Sequence, residues 1–215
     1  MTPLVVVLSS PSGGGKTTIA RRILVERDDT GYSVSATTRA PRDGEVDGRE
    51  YHFLSDGEFD ERVQAGEFLE HAIYNGKRYG TLEREVRRVV QGGRHVLLDI
   101  EIIGARIVRE RFPDAVLIFV VPPSGKVLAE RLRGRGSEPN EVIAARLERA
   151  VVELAAAPEY DFLVVNDDLD VAVRTVHGIL DVESRRMSRQ RSVQVLLDRL
   201  QSEVAAEIAR ATAAH

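Results

Sequence analysis

The sequence predicts an α/β fold in which a parallel β-sheet lies between helices on both of its faces. Three observations predict it: short, continuous apolar runs typical of buried parallel strands, helical patterns that alternate with them, and a glycine-rich turn between the first run and the first helix. The runs are Leu4 to Leu8, Val96 to Leu98, Ala115 to Val121 and Phe162 to Val165. With 215 residues, of which 43% are hydrophobic, the chain has the size of a single domain, 1–215.

The first apolar run leads into a phosphate-binding loop. Residues 10–18 read Ser-Pro-Ser-Gly-Gly-Gly-Lys-Thr-Thr, and a helix is predicted from Thr17 to Arg27. In this order of strand, loop and helix, backbone N–H groups and the helix N-terminus bind phosphate oxygens. Lys16 brings a compact ammonium group to the β- and γ-phosphates, and Thr17 offers a hydroxyl to Mg²⁺. The usual pattern begins with glycine, whereas this chain has Ser10 there.

The middle of the chain predicts a lobe inserted into the sheet domain. Between Tyr32 and about Gln91 the pattern changes to short polar strands, with a helix near Asp56 to Ala65. Aromatic residues are concentrated there, at Tyr51, Phe53, Phe68, Tyr74 and Tyr79. We interpret this segment as a substrate-binding lobe.

The second half predicts further helices between the apolar runs. They cover Ile102 to Arg111, Ser124 to Arg133 and Asn140 to Ala156, and prolines mark their ends. Beyond about Met187, apolar residues recur at helical spacing, which predicts a helical C-terminal extension, 187–215. Two placements of this tail are open: packing on the core, or pairing with another subunit. We favour packing on the same chain, because the apolar seam covers barely two heptads.

Composition excludes several classes of partner and site. A formal net charge of −4 argues against nucleic acid or an anionic membrane as the main partner, since both attract a basic surface. The absence of cysteine excludes disulfides and thiolate metal sites. No window holds the roughly 18 apolar residues of a membrane span, and the N-terminus lacks a signal-peptide pattern. We therefore expect a cytoplasmic protein.

Two further features point to the same site. Asp99 ends the apolar strand at Val96 to Leu98, and the ligand crevice of a parallel sheet lies beyond the carboxyl ends of its strands. Arg39 and Arg42 lie in a run of Ser, Thr, Gly and Pro, where phosphate binding explains them better than a solvated surface does. A second arginine group comprises Arg131, Arg133, Arg135 and Arg146. For Arg133 and Arg149 a solvated surface is the favoured interpretation.

From about Leu4 to Arg185 the chain resembles the guanylate kinases, nucleoside monophosphate kinases that phosphorylate GMP. Beside the loop, the resemblance is carried in order by residues 33–42, 44–48, 51–53, 66–70, 79–81, 131–137 and 165–168. It implies a P-loop fold, a three-layer parallel sheet with helices on both faces, a small mixed α+β GMP-binding lobe and a helical lid. The corresponding segments are a core (1–34, 92–125 and 157–186), the lobe (35–91) and the lid (126–156).

The resemblance also implies roles for individual residues. Those that bind ATP are Ser12, Gly13, Gly14, Gly15, Lys16, Thr17, Thr18, Asn166 and Asp167. Those that bind GMP are Ser35, Arg39, Arg42, Glu45, Tyr51, Glu70, Tyr79, Thr81 and Asp99, with Glu70, Thr81 and Asp99 on the guanine. The catalytic candidates are Lys16, Arg42, Arg135 and Arg146, and Thr17 is the ligand of Mg²⁺.

The implied reaction is in-line transfer of the γ-phosphoryl group of ATP to GMP, and also to dGMP, with Mg²⁺ as cofactor. The acceptor is already an ionised phosphate, so no general base is needed. The expected partners are the substrates ATP and GMP, with no nucleic acid and no membrane, in a monomer or a homodimer. Two alternatives are weighed: a related P-loop kinase that acts on a sugar phosphate, and a non-catalytic guanylate kinase-like binding module.

The segment after Asp99 departs from the family pattern. Glu101 stands where a second aspartate is usual, and Ile103 stands where a glutamine is usual. Glu101 keeps the negative charge on a longer side chain, whereas Ile103 cannot form a hydrogen bond. We therefore expect weaker polar support around the guanine and metal sites.

Overall fold

A computed structural model of the protein describes residues 2–74, 76–134, 140–190 and 193–213. In these ranges the strands are β1 (Val5–Ser9), β2 (Thr30–Tyr32), β3 (Ser35–Thr37), β4 (His52–Phe53), β5 (Phe68–Tyr74), β6 (Lys77–Leu82), β7 (His95–Asp99), β8 (Val116–Val121) and β9 (Phe162–Val165). The helices there are α1 (Lys16–Glu26), α2 (Asp56–Gln64), α3 (Glu83–Gln91), α4 (Ile102–Arg111), α5 (Gly125–Arg133), α6 (Asn140–Leu154), α7 (Leu169–Ser184) and α8 (Val193–Ala213).

A five-stranded parallel sheet forms the centre of the protein, with strand order β2-β7-β1-β8-β9. All four predicted apolar runs form strands of this sheet. Alternate side chains of β1 enter the two hydrophobic clusters on opposite faces: Val6 packs with residues of α1 and α7, and Val7 with residues of α3 and α4. The predicted three-layer α/β arrangement is confirmed.

A second, four-stranded mixed sheet has the order β4-β3-β6-β5, and its strands all come from the segment predicted as a lobe. β3 and β5 pair antiparallel with β6, and β4 pairs parallel with β3. Phe59 of α2 is fully buried and stacks on Phe68 at a centroid distance of 4.5 Å. Ser55 and Glu58 form a capping box that starts α2 where the sequence predicts it.

Three elements were not predicted. β2 has three residues, which is too short to give an apolar run, yet it forms the edge of the central sheet beside β7. α3 lies within the segment interpreted as short strands. α7 covers one face of the sheet through Val173, Val176 and Leu180. All three elements pack against the central sheet or pair with it.

The C-terminal extension is helical, as predicted, but its packing differs from the expectation. The apolar residues of α8 are exposed, with Leu196 at 43%, Val204 at 57% and Ile208 at 59%. The favoured interpretation, that the tail packs on its own chain, is wrong. Pairing with another subunit stays a prediction. Across the described ranges, no helix is long and apolar enough to cross a membrane.

Candidate functional site

A cleft of about 610 Å³ opens at the carboxyl ends of the central strands β1 and β7. The phosphate-binding loop and Asp99 form its floor, the lobe forms one wall, and α6 forms the other. A crevice at this edge of a parallel sheet is the usual place for a ligand in an open α/β fold. The cleft is therefore lined by the phosphate-binding loop with Asp99, by the lobe and by the helix that carries Arg146, the regions that the sequence singled out.

The phosphate-binding loop is held from outside by Asn166. The side-chain amide of Asn166 donates a hydrogen bond to the carbonyl of Gly14 at 3.0 Å. Gly15 adopts a left-handed conformation with φ of 97°, and a Cβ there would lie 2.2 Å from the Asn166 amide nitrogen. Only glycine fits both the backbone angle and the close approach. Asn166 thus holds the loop through a hydrogen bond to its backbone.

The hydroxyl of Ser10, which replaces the usual first glycine, is buried and donates to the carbonyl of Pro11 at 3.0 Å. The same carbonyl accepts the N–H of Gly14 at 2.8 Å. The serine is therefore accommodated inside the first turn of the loop.

Lys16 lies between two carboxylates at the centre of the cleft floor. Its Nζ is 2.7 Å from Oδ1 of Asp99 and 3.0 Å from Oε1 of Glu101. Burial by itself would lower the pKa of Lys16, but the attraction of Asp99 and Glu101 raises this pKa well above its usual value. The ammonium group is therefore charged at every physiological pH.

Asp99 also accepts a hydrogen bond from the Thr17 hydroxyl, with 2.7 Å between Oγ1 and Oδ2. These two oxygens lie side by side next to the loop that is predicted to hold phosphates. A hydroxyl and a carboxylate are hard oxygen ligands of the kind Mg²⁺ takes when phosphates and water complete its shell. Within the described residues, no cluster of three or more His, Asp or Glu side chains is arranged to hold a metal unaided. Thr17 and Asp99 therefore fit a magnesium ion that shares phosphate ligands.

The opposite end of the cleft contains a buried carboxylate, Glu70 of β5. Its Oε1 accepts a hydrogen bond from the Thr81 hydroxyl at 2.6 Å. A Cβ on Gly104 of α4 would lie 2.5 Å from its Oε2, so the absence of a side chain there makes room for the carboxylate. Burial raises the pKa of Glu70, and the negative charge of Glu101 adds to the effect. Glu70 is thus a fixed acceptor in a desolvated site.

A cluster of aromatic and basic residues lines the wall between these two ends. The Arg39 guanidinium pairs with Glu45 at 2.9 Å and lies 5.3 Å from the centroid of the Tyr51 ring. Glu45 also accepts the backbone N–H of Arg42 at 2.8 Å. The rings of Tyr51 and Tyr79 meet edge to face at 6.0 Å. Glu45 therefore fixes the position of the segment that carries Arg39 and Arg42. Both arginines and both tyrosines line the cleft.

Most of the predicted site residues meet in this one cleft. Those that line it are Ser12, Gly13, Gly15, Lys16, Thr17, Thr18, Ser35, Arg39, Arg42, Tyr51, Glu70, Tyr79, Asp99 and Arg146. Gly14, Glu45, Thr81 and Asn166 support those residues through the contacts described above. Asp167 is exposed near the start of α7, and Arg135 lies outside the described residues.

Two positions have contacts that the sequence did not indicate. The resemblance places Asp99 on the guanine, but its contacts are with Lys16 and Thr17. Arg149, interpreted as a solvated surface residue, lines the cleft and lies 5.1 Å from the centroid of the Tyr74 ring. Its position on α6, one turn after Arg146, is the sequence signal that could have identified it.

Comparison with known proteins gives the same family by sequence and by structure. A family model described as "Guanylate kinase" matches residues 2–183. A guanylate kinase of Trichormus variabilis is 48% identical over 175 residues, which covers 81% of this chain and 88% of that protein. One of Desulfitobacterium hafniense is 46% identical over 187 residues, covering 87% and 94% respectively. The crystal structure of guanylate kinase from Anaplasma phagocytophilum matches with a TM-score of 0.76 at 33% identity, covering 92% of this chain and 94% of that one.

Proposed function

The chain belongs to the guanylate kinase family and is an ATP:GMP phosphotransferase, and we propose that the two ends of the cleft divide the reaction between them. The loop end binds the triphosphate of ATP, through the backbone N–H groups of residues 15–18 and the Lys16 ammonium. The Glu70 end binds the guanine of GMP. The observation that carries this division is the placement of Lys16 and Glu70 in one cleft.

Guanine recognition rests on the chemistry of a buried acceptor. Guanine presents its N1–H and its exocyclic amine as donors, and an ionised Glu70 accepts from them. Thr81 donates to Glu70 and so fixes the orientation of the carboxylate. Adenine presents the opposite pattern on that edge, so it would leave the carboxylate unpaired at a cost of about 1–3 kcal/mol or more.

The phosphate of GMP is assigned to the arginine and tyrosine wall. Arg39 and Arg42 supply positive charge, and Ser35, Tyr51 and Tyr79 supply hydroxyl groups that face the same cleft. Guanidinium groups suit this role because they donate two parallel hydrogen bonds to phosphate oxygens. Glu45 holds Arg39 in place through their ion pair.

Asp99 is assigned to the metal end of the cleft rather than to guanine. Its contacts with Lys16 and Thr17 support this role. Thr17 and Asp99 would hold Mg²⁺, which neutralises charge on the ATP phosphates when it is bound. Lys16 and Arg146 approach the transferring group from the two sides, and α6 limits the access of water to it. Catalysis therefore consists of aligning two anions and neutralising the charge between them.

The test is a coupled assay of ADP formation from ATP and Mg²⁺, with GMP, dGMP, AMP, CMP and UMP offered separately. We expect turnover with GMP and dGMP alone. Turnover with AMP at a similar kcat/KM would contradict the role of Glu70. No turnover with any nucleotide, together with turnover of a sugar phosphate, would favour a related P-loop kinase that acts on a sugar phosphate. ATP-independent binding of a partner would favour a non-catalytic binding module.

Substituting Gly104 with alanine is expected to raise the KM for GMP by about tenfold or more, with a smaller change in kcat. The new Cβ would lie 2.5 Å from Oε2 of Glu70, so the carboxylate must turn away and lose its bond to Thr81. Steady-state kinetics with GMP varied at saturating ATP measure the effect. Gly178→Ala in α7 is the matched control, because nothing lies within 4 Å of a Cβ there. An unchanged KM for Gly104→Ala would contradict the assignment of Glu70 to GMP.

The oligomeric state and the location are two further points. The exposed apolar residues of α8 support a homodimer over a monomer. Sedimentation velocity of the chain with and without residues 191–215 distinguishes the two, since loss of α8 would convert such a dimer to a monomer. A cytoplasmic location stays a prediction from composition.

A further inference from the structure

One acid at the end of α6 contacts the phosphate-binding loop and has no role in the scheme above. Glu153 is 7% exposed, and its Oε2 accepts a hydrogen bond from the backbone N–H of Ser12 at 3.0 Å. The Nη2 of Arg146 donates to the hydroxyl of the same serine at 2.9 Å. A single helix therefore holds Ser12 by both its backbone and its side chain.

The two contacts come from one face of α6. Arg146 and Glu153 are seven residues apart, which is about two helical turns or roughly 10 Å along the axis. Arg149 lies between them and contacts the ring of Tyr74, at 5.1 Å from its centroid. This face of α6 thus links the lobe and the loop.

A carboxylate is an unfavourable group beside a loop that binds anions. Burial raises the pKa of Glu153, opposed by the Ser12 N–H, and the charge of Glu101 raises it further, opposed by Arg149 and Tyr74. An apolar side chain at this position would avoid those costs, but it would leave the Ser12 N–H without its acceptor. The contact that offsets the cost is therefore the one to the loop backbone.

We propose that Glu153 is a positioning residue that fixes the phosphate-binding loop to α6, so that Arg146 stays aligned with the phosphates held by the loop. The proposal rests on the role assigned to Arg146 under the proposed function. The carboxylate does not touch the reacting atoms. It acts through Ser12, by making the loop and the arginine-bearing helix a single unit.

The test compares kcat and KM for three variants of Glu153. Glu153→Ala removes the acceptor, and Glu153→Asp keeps the charge but shortens its reach; both are expected to lower kcat by about tenfold, with the KM for GMP nearly unchanged. Glu153→Gln keeps an oxygen that accepts the Ser12 N–H and is expected to stay within about twofold of the original kcat. Glu148→Ala, on the exposed side of the same helix, is the control. A normal kcat in both Glu153→Ala and Glu153→Asp, or a Glu153→Gln enzyme as slow as either, would overturn the proposal.

A double-mutant cycle with Arg146→Ala separates positioning from a general loss of stability. If Glu153 acts by aligning Arg146, then adding Glu153→Ala to Arg146→Ala lowers kcat by less than about twofold. An equal further loss in both backgrounds, together with a lower Tm, would instead show a purely structural role. A normal kcat for Arg146→Ala alone would remove the role proposed for Arg146 and the coupling with it. A slow Arg146→Ala enzyme beside a normal Glu153→Ala enzyme would overturn only the inference on Glu153.

Discussion

Replacing Lys16 with alanine is expected to lower kcat by about 10³-fold while the affinity for GMP stays within about threefold. Lys16 carries the positive charge at the centre of the loop end, with Asp99 at 2.7 Å and Glu101 at 3.0 Å. Its removal takes away the ammonium charge between these carboxylates and the ATP phosphates, so charge that must be neutralised during the transfer loses one of its counter-charges. The GMP phosphate is assigned to Arg39 and Arg42 and does not depend on this lysine. The KM for ATP is therefore expected to rise, and the Kd for GMP is not.

The measurement is steady-state kinetics with each substrate varied in turn, combined with calorimetric titration of GMP. Lys126→Ala is a suitable control, because Lys126 is an exposed lysine of α5. A melting curve for Lys16→Ala excludes misfolding as the cause of a slow enzyme. Equal losses of turnover and of GMP affinity would count against the assigned role of Lys16.

The parts of the site that lie together in the sequence could be predicted from it. The phosphate-binding loop is one stretch of nine residues, and its neighbours in the chain supply the strand and the helix that define it. Asp99 could be placed at the cleft for a similar reason, because the end of a parallel strand has a fixed position in the sheet. Its partners could not be assigned, since the choice between the guanine end and the loop end depends on where its side chain points.

The parts that depend on distant packing were not predicted. Glu153 meets Ser12 across 141 positions of the chain, and its spacing on α6 gives no sign of which element lies opposite. Arg149 was interpreted as a surface residue, because an arginine-rich composition offers many such positions. The apolar spacing of α8 predicted the helix correctly, but spacing alone does not specify what an apolar face contacts.

Replacing Glu70 with glutamine is expected to lower kcat/KM for GMP by about 10²-fold or more, while kcat/KM for AMP stays constant or rises. The glutamine oxygen still accepts from Thr81, so the amide nitrogen takes the place of the free carboxylate oxygen. That nitrogen is a donor, and it would face the N1–H and amine donors of guanine. Toward adenine the same donor meets the N1 acceptor. The preference for GMP over AMP is therefore the quantity to measure, with Glu61→Gln on the exposed side of α2 as the control.

The pH dependence gives an independent check on the same residue. Burial raises the pKa of Glu70 above its ordinary value of 4.5, so the carboxyl takes up a proton at a higher pH than a free carboxyl does. A protonated Glu70 no longer offers two acceptors, and kcat/KM for GMP is expected to fall as the pH drops through this raised pKa.

The raised pKa of Glu70 also means that the native state binds this proton more tightly than the unfolded chain. The stability it contributes is full at acid pH and is lost as the pH rises through the native pKa. Glu70→Gln is thus expected to lose this acid limb and to melt no lower than the original protein at neutral pH. An acid limb that survives in Glu70→Gln would assign the titration to another group.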